Sequence, residues 1–108
     1  MSDVLEDFVD PYWDMADDAD ALRKLLSLAV LAWDAALLPE PKRQAMIDDT
    51  LGAGFSRASE ADRAQAREFV ELMVKRKLEH FPDNRRAIIS FTLTDTGTGY
   101  HLSVASSL

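Results

Sequence analysis

The sequence predicts an α+β fold: about four helices, the second central and buried, with a C-terminal antiparallel β-hairpin packed on them. Three observations carry this. Apolar residues recur at helical spacing through most of residues 21–81. Pro39, Pro41, Gly52 and Gly54 cut that pattern into separate helices. From Ala87 to Ser106, "AIISFTLTDTGTGYHLSVAS", the pattern changes to strict alternation on either side of a Gly-containing turn. With 108 residues, one domain is expected, made of an acidic segment (1–20), a helical body (21–81) and the hairpin (85–106).

Each element has its own warrant. Val4, Leu5, Phe8 and Val9 make one side of a short first helix, which Ser2 or Asp3 can cap and Pro11 should end. Tyr12, Trp13 and Met15 follow and are too apolar for a free tail, so the segment should dock. Asp18 or Asp20 suits the N-cap of a second helix over residues 19–38. Its stripe is Leu22, Leu25, Leu26, Ala29, Trp33, Ala36 and Leu37, with Leu28, Val30 and Leu31 adding apolar surface around it. A helix apolar on most faces is buried on most faces, which makes this the central element.

A third helix is expected over residues 40–51, with Pro41 in its first turn, Met46, Ile47 and Leu51 on its apolar edge, and Gly52 and Gly54 ending it. Phe55 should tuck back onto the core. "SEAD", Ser59 to Asp62, reads as a capping box for a fourth helix over residues 60–81. Ala66, Phe69, Val70, Met73, Val74, Leu78 and Phe81 form its stripe, and Glu71–Lys75 is an i,i+4 pair in the favourable order. In the hairpin, Ile89, Phe91 and Leu93 share one face with Tyr100, Leu102 and Val104, and this face should pack on the second and fourth helices.

Charge and composition narrow the function classes. The net charge is −7, yet residues 1–20 hold eight acids and no Lys or Arg, while the rest of the chain carries 11 acids against 12 bases. Such asymmetry marks an interaction segment. It argues against nucleic acid or an anionic membrane as the main partner, because both need clustered positive charge. The most apolar run, Leu25 to Leu38, contains Asp34 and is too short to span a bilayer. The acidic start does not resemble a secretory leader, and the chain has no cysteine, so a cytoplasmic protein without disulfides is expected.

No cofactor or metal is implied. "DMADDAD", Asp14 to Asp20, lacks the spacing, glycine and closing glutamate of a calcium loop. "GAGF" lacks the Lys-Ser/Thr ending of a phosphate loop. An enzyme would have to use His80 or His101 as acid–base group with Glu79, Asp83 or Asp95, and no nucleophile motif accompanies either histidine. Lys75, Arg76, Lys77, Arg85 and Arg86 cluster in sequence at the junction of the fourth helix and the hairpin. They read either as helix-end complementation or as an anion-accepting patch whose first partner is the chain's own acidic segment. Trp33 belongs to the core, and Trp13 either docks or serves a partner.

The hairpin poses the sharpest question. A lone hairpin is marginal in water, and its two outer edges need a solution. The N-terminal segment can cover an edge, a second copy can pair with it to give a four-stranded sheet across a two-fold, another protein can donate a strand, or solvent can satisfy it.

Two stretches, "LAVLAWDAALLPEPKRQAMID" and "KRKLEHFPDNRRAIISFTLTDTGTGYHLSVASS", resemble a group of small uncharacterised bacterial proteins. The shared pattern is Leu-Ala-Trp-x-x-x-Leu-Leu-Pro, then Arg-Lys late in a helix, Phe-Pro-Asp, and a hairpin closing in Val-Ala-Ser. It covers roughly half the chain and carries no catalytic signature, so it implies a bacterial cytoplasmic protein and transfers no activity. The expected function is a non-enzymatic interaction or regulatory module, a homodimer through the hairpin edge, with Arg85, Arg86, Phe91, Tyr100 and His101 as contact residues. The alternatives are an inhibitor or immunity-type protein that covers a basic partner with its acidic segment, and the histidine enzyme.

Overall fold

The second helix organises the molecule. In a computed structural model describing residues 2–54, 59–97 and 99–106, it is α2, Ala19–Ala36. Asp18 caps it, accepting from the Ala21 N–H at 2.8 Å. Leu22, Leu25, Leu26, Ala29, Leu31, Ala32, Trp33, Ala35 and Ala36 are all buried. They are buried on several sides because α2 packs against α1 (Ser2–Val9), α3 (Lys42–Gly54), α4 (Glu60–His80) and strand β1 (Ile88–Asp95). A second strand, β2 (Tyr100–Ser106), pairs antiparallel with β1. The fold is therefore α+β, four α-helices with a C-terminal two-stranded hairpin among the described residues.

The elements follow from local chemistry. Leu5, Phe8 and Val9 bury one side of α1. Pro11 stops the α-helix, and Asp10–Met15 continues as a 3-10 helix with Pro11 at its start. α3 begins at Lys42, after Pro41, whose carbonyl accepts from the Ala45 N–H at 3.2 Å. It runs through Gly52 to Gly54 instead of stopping at the first glycine. The expected position of Phe55 lies outside the described residues. Ser59 caps α4, its Oγ accepting from the Asp62 N–H at 3.1 Å. Arg67 of α4 ties α3 by an ion pair with Asp48 and a 3.3 Å bond to Gln44 Oε1.

Three sequence expectations need correction. The buried stripe of α4 is Ala66, Val70, Met73, Val74 and Lys77, so Leu78 is exposed and a lysine takes the inward position. Steps of four, three and four from Ala66 lead to Lys77, and the aromatic and carbonyl groups awaiting it there make the position tolerable. Lys75 pairs with Glu79 at 3.9 Å rather than with Glu71. The hairpin rests on α2 through β1 and on α1 through β2, not on α2 and α4.

A further correction, beyond those three, concerns register. A bulge lies between Ile88 and Ser90. It places Ile88 inside, 3 % exposed, and Ile89 outside, 71 % exposed. Beyond the bulge the alternation resumes, pairing Phe91 with Val104 and Leu93 with Leu102 on the inner face. A Thr96 N–H to Gly99 carbonyl bond of 2.9 Å closes the turn, in which Gly97 takes φ +85°, a left-handed conformation suited to glycine.

Candidate functional site

Buried chemistry concentrates where the chain leaves α4 and starts the hairpin. Phe8 of α1, Trp33 of α2 and Phe81 just past α4 form an aromatic triangle. Phe8 meets Trp33 at 5.3 Å between centroids and Phe81 at 5.7 Å, both edge-to-face, and Trp33 and Phe81 are 5.6 Å apart. Lys77 is 2 % exposed and sits over the Trp33 ring, its Nζ 4.5 Å from the centroid. The ammonium donates to the Phe81 and Asn84 carbonyls, each at 2.6 Å. Those carbonyls lie at the C-terminal end of α4, where the helix dipole favours a cation. Burial pushes the Lys77 pKa below its ordinary value, and the carboxylate of Asp83 partly opposes that.

The next residues are held from α2. Trp33 Nε1 donates to the Arg86 carbonyl at 2.7 Å. Asp34 Oδ1 accepts from the Ile88 N–H at 2.8 Å. Burial pushes the Asp34 carboxyl above its ordinary value, and the Ile88 bond pulls the other way. Asn84 accepts through Oδ1 from the Arg86 N–H at 3.1 Å, fixing the turn between helix and strand. Adjacent residues of one helix thus bind both ends of Arg86–Ile88, and a lysine binds the turn before it.

Arg76 closes the same region from the other side. Its Nε donates to the Phe8 carbonyl at 2.9 Å and an Nη to the Asp7 carbonyl at 3.0 Å, and its guanidinium lies 5.8 Å from the Phe81 ring centroid. The last turn of α1 therefore meets a cation through backbone carbonyls, not through its acidic side chains.

The five basic residues grouped in sequence take separate tasks. Lys77 is internal, Arg76 holds α1, and Lys75 is exposed with Glu79 as its ion-pair partner. Arg85 and Arg86 are exposed at the base of the hairpin, although the Arg86 backbone is bonded on both sides. Of the other residues expected to make contacts, Phe91 is half-buried against the core, Tyr100 stands 39 % exposed opposite Asp95, and His101 is exposed opposite Thr94, 3.4 Å from Ser103 Oγ. His80 is exposed in a shallow depression with Tyr12, Leu72, Arg76 and Glu79.

Sequence reasoning missed Asp34 and Asn84 as structural anchors. A signal for Asp34 was present: one carboxylate inside the run from Leu25 to Leu38 must find a partner when that helix is buried. The geometry defines a small α+β protein whose hairpin is bonded at its base to a helical body and buries one face of its strands beyond. Set against models of known families, curated proteins and solved structures, the chain matches none.

Proposed function

We propose that this chain is a non-catalytic interaction module that self-associates through the outer edge of β2. One observation carries the reading. The sheet has only two strands among the described residues, and β2 contains no Lys, Arg, Asp, Glu or Pro. Natural edge strands are blunted by charge, proline, a bulge or a covering element; β1 has its bulge, and β2, though in contact with α1, has no charge, proline or bulge of its own. A second β2 laid antiparallel about a two-fold at Ser103 sets Leu102 against Val104 and His101 against Ala105. Each pair then shares a face and no like charges meet. The exposed His101 would lie within that seam and Tyr100 at its end, with Arg85 and Arg86 outside it.

The lack of cysteine and the resemblance to small bacterial proteins support placing the module in a bacterial cytoplasm. No helix among the described residues is long and apolar enough to cross a membrane.

Light scattering after size exclusion, at low micromolar protein and two salt concentrations, tests the proposal. A dimer whose mass does not change with salt is expected, because backbone bonds make the seam. Ser103→Lys should yield a monomer with unchanged helical circular dichroism, since it sets two like charges at the two-fold. A monomeric parent, or a dimer indifferent to Ser103→Lys, would sink it.

A further inference from the structure

A second surface lies beside the N-terminal end of α2. The end of the 3-10 helix and the N-terminal halves of α2 and α4 enclose an open groove of about 290 Å³. Its floor is Leu25, Leu28, Ala66 and Phe69, and Met15 stands at its rim, 66 % exposed. Asp62 is the one charged residue in the lining. At Ala16 the groove abuts a pocket of about 270 Å³ walled by Asp14, Asp17 and Asp18 beside Trp13. Asp18 is occupied as the α2 cap. Among the described residues, no side chain bonds or pairs with the Asp14 or Asp17 carboxylates.

Neither half explains itself as core. An apolar trough with an exposed methionine is poorly suited to water, and methionine adapts to an apolar partner of varied shape. The two carboxylates beside it carry negative charge that an incoming cation would offset. The two halves together match one kind of occupant. A helix with an apolar stripe and basic flanks would lay the stripe along Leu25, Leu28 and Phe69 and bring its cations to Asp14 and Asp17. An acidic helix would meet repulsion from those carboxylates, and a purely polar segment would leave the trough wet.

We propose that this groove binds a basic amphipathic helix of a partner protein. The apolar groove takes no residue from the hairpin, whereas Tyr100 of β2 also lines the acidic pocket, so binding is measured on the parent and on Ser103→Lys alike.

The probe is a fluorescently labelled synthetic peptide of Leu and Lys, with the leucines on one helical face. Two controls accompany it: the same composition in scrambled order, and a Leu/Glu version. Anisotropy should show micromolar binding of the first, with both controls at least roughly tenfold weaker. Met15→Lys, at an exposed position that tolerates charge, should weaken binding about tenfold, and Leu28→Lys should do so at least as strongly. Asp14→Asn with Asp17→Asn should reduce affinity and flatten its salt dependence, whereas Asp3→Asn with Glu6→Gln should do neither. Equal binding of the scrambled peptide, or indifference to Met15→Lys in a variant that melts like the parent, would overturn the proposal. Binding would then be general attraction to an acidic chain.

Discussion

The base of the hairpin and the outer edge of β2 belong to one element and are built on opposite terms. At the base, the polar groups pointing inward have named partners: the Trp33 indole, the Asp34 carboxylate and the Lys77 ammonium each satisfy backbone groups of residues 81–88. Along the edge, no third strand pairs with β2 among the described residues. The difference teaches where the fold places its specificity. Register and attachment are set at the base, by side chains of α2 and α4. The far strand is held by its pairing with β1 and by contact with α1. Substitutions at the base should therefore act on stability, and those at the edge on association.

The largest break in that contrast should come from Trp33→Ala. It removes the centre of the aromatic triangle, the platform under Lys77 and the bond to Arg86. Loss of a buried aromatic of this kind costs about 3–5 kcal/mol, read as a fall in the urea midpoint. A value near zero would mean that the base does not hold the hairpin.

Asp34 gives a finer test. Asp34→Ala leaves the Ile88 N–H unpaired in a half-buried site, for a loss of about 1–3 kcal/mol. Asp34→Asn keeps an acceptor of the same shape and should be close to neutral or slightly stabilising near pH 7. The sign follows from linkage. The unfolded chain releases this proton near the ordinary value of 3.8, and the folded chain holds it to higher pH. Between those two points the native state binds more protons, so its stability falls as pH rises. Urea titrations at several pH values should show the parent losing ground to Asp34→Asn across that window, with the gap closing in acid.

The smallest effect sharpens the register. Ile89→Thr should change stability by no more than about 0.5 kcal/mol, as expected of a surface site away from any packing. Under the unbulged register that strict alternation suggests, Ile89 would be a core residue and its loss would be felt.

These positions also show what could be read from the chain beforehand. The helices were legible because their caps and stripes are local: Asp18 and Ser59 cap as residues of their type do, and Leu22 through Ala36 repeat at helical spacing. The hairpin was legible for the same reason. What escaped depends on contacts distant in sequence. A lysine between Arg76 and Leu78 reads as solvent-facing until Trp33 and the Phe81–Asn84 turn are brought over it. The bulge at Ile88 escaped because Ile-Ile satisfies either register, and the Asp34 bond to the Ile88 N–H, across 54 positions, selects one. The basic cluster divides because nearness along a chain does not make a shared surface: Lys77 turns inward, Arg76 binds α1 and Lys75 pairs with Glu79.

The two tryptophans carry a consequence for watching this molecule in solution. Trp33 is sealed within the base, whereas Trp13 is half-buried beside Asp14, Asp17 and Asp18. Their emission is thereby divided by the sign of a dissolved quencher. Caesium ions gather at the carboxylates and darken Trp13, while iodide is held off by the same charges. Neither reaches Trp33 until the hairpin leaves the helices, so the protein carries its own optical gauge of whether that joint is closed.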